Sequence, residues 1–115
     1  MTHILRVIEK FDAAHSLRDY EGKCANLHGH TWKVEVFIRA GEMHFNGITI
    51  DFADAKKVIR DALPDHCLLN NYYSFNPTAE NISKSLYENI RRAGLDVSKI
   101  VLWETENNGV EYFEN

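Results

Sequence analysis

The chain predicts an α+β fold, an antiparallel sheet with two helices on one face. Three observations in its 115 residues carry that expectation. Residues 28–40 alternate: His28, His30, Trp32, Val34, Val36, Ile38 and Ala40 share one parity, and Gly29, Thr31, Lys33, Glu35, Phe37 and Arg39 the other. Strand side chains alternate between faces, so this stretch is a strand with one apolar side. Two later stretches instead space their apolar residues as helices do. The resulting order, β-β-(β)-α-α-β-β, suits one four-stranded antiparallel sheet and a single domain over residues 1–115.

Residues 4–15 read as the first strand, with Leu5, Val7, Phe11, Ala13 and His15 on one parity and an imperfect alternation that allows a bulge. A polar loop follows from Ser16 to Asn26, then the strand at 28–40. Gly41 to Gly47 reads as a turn, and Ile48-Thr49-Ile50 as a short return strand. Asp51 is an N-cap for the first helix, with Asp54 at the positive end of its dipole. Phe52, Ala55, Ile59, Ala62 and Leu63 form its apolar stripe, and Pro64 ends it. Residues 65–75 read as a loop. Asn76-Pro77 opens the second helix as cap and first helical residue; Ala79, Ile82, Leu86 and Ile90 are its buried stripe, and Gly94 stops it. Strands at 99–105 and 110–113 close the chain, joined by Asn107-Asn108-Gly109 as a hairpin turn.

Composition narrows the function classes. The chain is 44% hydrophobic and 26% charged, with a net charge of -4. An acidic balance argues against a nucleic-acid surface. No apolar run approaches the roughly 20 residues of a membrane span, and the N-terminal residues lack the charged and apolar regions of a signal peptide. Two cysteines, Cys24 and Cys67, make no disulfide framework. A cytoplasmic protein is the expectation.

The chemistry concentrates in Cys24-Ala25-Asn26-Leu27-His28-Gly29-His30. Two histidines two residues apart on a strand project to one side, with Gly29 leaving the backbone between them uncrowded. With His15 at the end of a neighbouring strand, they make a three-histidine set with an open fourth position, suited to zinc. The blander reading, partly buried core histidines, fits any one of them taken alone. Spacing leaves Cys24 open between fourth ligand and reactive thiol. Asp65-His66 is open between a carboxylate–imidazole pair that handles protons and an ordinary polar loop. Cys67 reads as a filler residue. Glu104 shares parity with Ile100 and Leu102: either it lies past the core at a strand end, or it is buried and receives adjacent N–H donors of a planar ligand.

Taken together in order, these motifs resemble the 6-pyruvoyl-tetrahydropterin synthase superfamily, and more closely its bacterial 6-carboxy-tetrahydropterin synthase branch. The resemblance rests on Phe11-Asp12-Ala13-Ala14-His15, Cys24-x3-His28-Gly29-His30, Gly47 to Asp51-Phe52, Asp65-His66 with Leu69-Asn70, Asn76-Pro77-Thr78-Ala79-Glu80-Asn81, and Glu104-Thr105 with Tyr112. The three residues between Cys24 and His28 resemble the carboxy branch. Pro64 and Cys67 around Asp65-His66 depart from the usual pattern. The resemblance implies a tunnelling fold, in which sheets of several subunits join edge to edge into a barrel and trimers stack into a homohexamer. It further implies zinc on His15, His28 and His30, Cys24 as general base, Asp65 with His66 in proton transfer, and Glu104 anchoring the pterin ring. The implied substrate is 7,8-dihydroneopterin triphosphate, converted to 6-carboxy-tetrahydropterin with loss of acetaldehyde and triphosphate. Its triphosphate needs cations, for which Lys10, Arg18, Lys23 and Lys33 are candidates. A biopterin-type synthase that eliminates triphosphate, and a non-catalytic zinc module that recruits Cys24, are the competing expectations.

Overall fold

The computed structural model describes residues 3–115. In chain order its elements are strands β1 (His3–His15) and β2 (His28–Ala40), helix α1 (Phe52–Ala62), strand β3 (Cys67–Leu68), the one-turn helix α2 (Leu69–Tyr72), helix α3 (Ala79–Arg92), and strands β4 (Val97–Trp103) and β5 (Gly109–Tyr112). The sheet order is β3-β1-β2-β4-β5. Four strands pair antiparallel, and the two-residue β3 lies parallel to β1. This is the α+β architecture the pattern of elements predicts, with α1 and α3 packed on one face. None of the described helices is long and apolar enough to cross a membrane.

Parity explains how the core forms. Val7, Phe11, Ala13 and His15 of β1 and Trp32, Val34, Val36 and Ile38 of β2 are all buried, as are Ile100 and Leu102 of β4. The helices meet them with Ala55 and Ile59, and with Ile82, Leu86 and Ile90, at i, i+4 and i, i+4, i+8 spacing. Trp32 is fully buried and lies parallel to Phe11 at 5.9 Å between centroids. The other face of the sheet carries Arg6, Lys10, Asp12, Thr31, Lys33 and Glu35. β1 and β2 keep one register from His3 opposite Ala40 to His15 opposite His28. That register brings the ends of the two strands, and so their histidines, to one end of the sheet.

Several local expectations are corrected. Ile48-Thr49-Ile50 is not a strand: the His44 N–H donates to the Ile48 carbonyl at 2.8 Å, and the segment turns back on itself. Residues 65–75 are not simply a loop, since β3 and α2 form there. α3 starts at Ala79, with the Thr78 hydroxyl accepting from the Asn81 N–H as its cap. Asn76 cannot serve as that cap because its amide is occupied by the backbone of Arg18. β4 ends at Trp103, and the β4–β5 connection is a five-residue turn closed by the Glu104 N–H on the Asn108 carbonyl at 2.9 Å. Gly109 follows that turn because a Cβ there would sit 2.8 Å from the Leu102 carbonyl oxygen. The first helix holds as expected, with the Asp51 carboxylate accepting from the Ala53 N–H at 2.8 Å.

Candidate metal centre

His15 and His28 are register partners across β1 and β2, and His30 faces Ala13 one step further in. All three rings therefore project from one face, above Trp32. Their centroids lie 4.5 Å (His15 and His28), 4.8 Å (His28 and His30) and 5.3 Å (His15 and His30) apart, each pair edge to face. One donor nitrogen from each falls within 4.8 Å of the other two, a grouping able to hold a metal ion. Trp32 sits 5.2 Å from His15 and 5.4 Å from His30, and its indole N–H is tied to the Ala13 carbonyl at 3.2 Å. The floor of the cluster is thus fixed on both strands.

The histidines are oriented by backbone carbonyls. The His15 Nδ1–H donates to the Pro77 carbonyl at 2.8 Å, and the His28 Nδ1–H to that of Asn26 at 2.7 Å. Such outer bonds select the tautomer whose Nε2 lone pair is free for a metal. His15 Nε2 and His30 Nε2 are buried and have no hydrogen-bond partner. Burial pushes both imidazoles below the ordinary histidine value; for His15 the Pro77 carbonyl, and for His30 the Glu104 carboxylate, pull the other way. Unprotonated imidazoles are what a metal requires.

Glu104, first residue past β4, stays on the face of Ile100 and Leu102 and enters this cluster. Its Oε2 lies 3.7 Å from His15 Nε2 and its Oε1 3.7 Å from His30 Nε2. Beyond it opens a cavity of about 340 Å³ lined by Tyr20, Thr78, Glu80, Glu104 and Val110. Cys24 sits half-buried and unpaired in a single 3-10 turn, Lys23–Ala25, at the foot of β2. It is not among the donors gathered within 4.8 Å of one another.

The loop that carries Cys24 is pinned by residues that spacing alone did not single out as structural. The Asn70 side chain accepts from the Ser16 N–H at 2.9 Å and donates to the Ser16 carbonyl at 2.8 Å. Asn76 does the same for Arg18, at 2.9 and 3.1 Å. Each amide imitates a strand neighbour, so the chain leaving His15 continues as though paired. The Leu17 N–H then donates to the Cys24 carbonyl at 3.1 Å, closing the loop on itself.

Asp65 and His66 lie elsewhere, along the edge of β1 that leads into β3. The Asp65 carboxylate accepts from the Asp12 N–H at 2.9 Å and stands 2.9 Å from His66 Nδ1. The Asp12 N–H holds that carboxyl below the usual range. His66 adopts a left-handed backbone, φ 54°, fixed by its own N–H on the Asp12 carbonyl. A non-glycine residue held there is strained, and such strain persists only where surroundings enforce it. Asp12, Asp65 and His66 form a second group of convergent donors, bordered by Thr31, whose hydroxyl donates to Asp12. Asp12 and Thr31 belong to the face opposite the three imidazoles. His66 lines an open cleft together with Gly29 and His30, but neither Asp65 nor His66 belongs to the three-imidazole donor group. Of the candidate phosphate cations, Lys10 and Lys33 are direct cross-strand partners on the face of Asp12 and Thr31.

A family model described as 6-pyruvoyl tetrahydropterin synthase matches residues 4–115. A relative from Archaeoglobus fulgidus, provisionally named 6-carboxy-5,6,7,8-tetrahydropterin synthase, is 36% identical over 94% of this chain and 93% of its own. A Haemophilus influenzae protein named 6-carboxy-5,6,7,8-tetrahydropterin synthase is 31% identical over 90% of this chain and 94% of its own. Among solved structures, 6-pyruvoyl tetrahydropterin synthase from Caenorhabditis elegans superposes with a TM-score of 0.83 over 100% of this chain and 97% of that one, at 24% identity.

Proposed function

The chain belongs to the 6-pyruvoyl tetrahydropterin synthase family, and from that premise we propose that it is a zinc-dependent 6-carboxy-5,6,7,8-tetrahydropterin synthase. The proposed substrate is 7,8-dihydroneopterin triphosphate, which with one molecule of water is converted, as by a carbon–carbon lyase, to 6-carboxy-tetrahydropterin, acetaldehyde and triphosphate. That product would feed queuosine-type 7-deazapurine synthesis in the cytoplasm. The observation that carries the reading is the convergence of three imidazoles with two buried, unpartnered Nε2 atoms. The choice of the carboxy over the pyruvoyl product is supported by relatives named for it at 36% and 31% identity.

In this reading His15, His28 and His30 hold zinc through their Nε2 atoms. The ion supplies Lewis acidity that makes a substrate C–H more acidic. Cys24, outside the imidazole group, takes the proton as general base. Asp65 holds His66 in one tautomer, which leaves His66 Nε2 to relay a proton. Because that pair is held on the edge of β1 and stays out of the imidazole donor group, the reading assigns it to the site of an adjoining copy. Copies join through the sheet edges at β3 and β5, which need cover, into a trimeric barrel that stacks as a hexamer. Glu104 accepts the 2-amino and N3–H edge of the pterin, in the cavity that it shares with Thr78 and Glu80.

The test is product analysis with the zinc-loaded protein and 7,8-dihydroneopterin triphosphate. Acetaldehyde released one-for-one with triphosphate is the expected result. Triphosphate without acetaldehyde, and a pyruvoyl pterin, would replace this reading with the biopterin-type reaction. Cys24→Ala is expected to keep zinc and lose turnover by about 10²- to 10⁴-fold, the usual worth of a positioned base. A variant of normal activity removes Cys24 from that role. A third reading, a zinc module without catalysis, predicts that chelation unfolds the domain; a folded but inactive metal-free protein excludes it.

A further inference from the structure

Lys10 and Lys33 are direct partners across β1 and β2, and Trp103 continues the same row on β4. Residues so placed hold their Cβ atoms about 4.5–5.5 Å apart, and like charges at that spacing repel. The other cations of this face are matched: Arg6 with Glu35 at 4.0 Å, Arg39 with Asp96 at 3.2 Å and Lys99 with Glu111 at 3.0 Å. Among the described residues, no acid pairs with Lys10 or Lys33. Both lysines open onto one cavity of about 540 Å³, completed by Thr31, Trp103, Thr105 and Glu106. The Thr31 hydroxyl is spent on Asp12 and the Trp103 N–H on Glu35. The Thr105 oxygen accepts the N–H groups of Asn107 and Asn108 at 3.2 Å each, which leaves its own proton free to be donated. Lys33 Nζ lies 5.5 Å from the Trp103 ring, a cation–π contact that restrains it on this row.

We propose that Lys10 and Lys33 form a binding site for a chain of phosphoryl groups, with the Thr105 hydroxyl as a neutral donor. A single carboxylate matches one ammonium group and leaves its neighbour unrelieved. A phosphoryl chain carries charge on successive groups, so it meets both ammonium groups at once. Glu106 is the one acid lining the cavity, and with two lysines the balance there is positive. Removing either lysine cancels that excess. Of the other two candidate cations, Arg18 already donates Nη2 to the Ser74 carbonyl at 3.0 Å, and Lys23 lies in the turn beside Cys24. The same chemistry belongs to the tail of a phosphorylated substrate and to free polyphosphate, and experiment separates the two.

Inorganic triphosphate, titrated calorimetrically into the zinc-loaded full chain at low salt, is the probe. Lys10→Gln and Lys33→Gln should each weaken its binding about 10-fold or more, the worth of one hydrogen bond to a charged group. Lys57→Gln removes an ammonium that already pairs with Asp61, and should leave the binding as it is. Dissociation constants within about twofold of wild type in both Lys10→Gln and Lys33→Gln overturn the site, and an anion held by the metal or by Lys23 would give that result. A wild-type chain that binds no triphosphate overturns it too. Turnover then names the source of the chain, and this arm alone rests on the proposed function. A site for the substrate's tail predicts that both variants raise KM for 7,8-dihydroneopterin triphosphate by a similar factor and keep kcat. A site for free polyphosphate predicts that KM stays and only the titration moves. Either result upholds the site, and neither depends on which product the enzyme makes.

Discussion

His15 is fully buried, one nitrogen on a carbonyl and the other facing no donor. Leaving a buried polar atom unpaired costs about 1–3 kcal/mol, so His15 and His30 together spend a sizeable part of a small domain's stability on one spot. The pH dependence follows from their lowered pKa values. The unfolded chain takes up protons near the ordinary histidine value of about 6.5, while the folded chain resists until lower pH. Stability of the metal-free fold is therefore complete above that value and declines as pH falls through it. Urea melts in chelator should give a lower midpoint at about pH 5.5 than at about pH 7.5; an unchanged or higher midpoint contradicts the burial argument. Residue identity made the histidines legible in the sequence, because parity alone aligned His28 and His30. Glu104 was only half legible: its parity with Leu102 was readable, its meeting with the imidazoles depended on where β4 ends.

At the scale of elements, the site is held by caps and by side chains that imitate strands. Asp51 caps α1, and Asp51→Ala should cost about 1 kcal/mol in urea unfolding. A larger role belongs to Asn70, because its amide satisfies both backbone groups of Ser16. Asn70→Ala leaves two groups at a part-buried position unpaired and should cost about 1–3 kcal/mol. Hydrogen exchange at Ser16 and Leu17 should quicken in that variant, with exchange in α3 unchanged except through global stability; unaltered exchange at Ser16 would show that the amide does not hold the loop. Elements with a period were readable: β1, β2, α1 and α3 all stand where alternation or helical spacing puts them. β3 and α2 were not, because a two-residue strand and a single turn are too short to show a period and are made by their neighbours. The Ile48–Ile50 strand failed for the converse reason: two isoleucines either side of Thr49 acquired no partner strand, and the turn at His44–Ile48 took the Ile48 carbonyl.

For the whole molecule, the sheet presents two very different faces. One buries the core and the imidazoles; the other carries Arg6, Lys10, Lys33 and Glu35 together with half-exposed Ile4 and Ile8. The edges differ as well, one ending in the two residues of β3 and the other in the four of β5. Assembly through such edges covers backbone groups that otherwise invite unspecific pairing. The proposed hexamer predicts six chain masses in sedimentation equilibrium, independent of zinc; a monomer at micromolar concentration would leave Asp65 and His66 without a neighbouring site to serve. The fold class itself was readable from the order of elements, since strands and helices were segregated. That Asp65 and His66 stay out of the imidazole group was not, because sequence order says nothing about which part of β1 a distant loop reaches.

The claim on which the rest depends is that three imidazoles bind one ion while Cys24 stays off it. Anomalous diffraction at the zinc edge, from crystals of the zinc-loaded protein, tests it directly. The account predicts one ion per chain within about 2.0–2.1 Å of Nε2 of His15, His28 and His30, with Cys24 Sγ beyond bonding distance. An ion bound by Cys24 at about 2.3 Å, or no ion among the three rings, would contradict it.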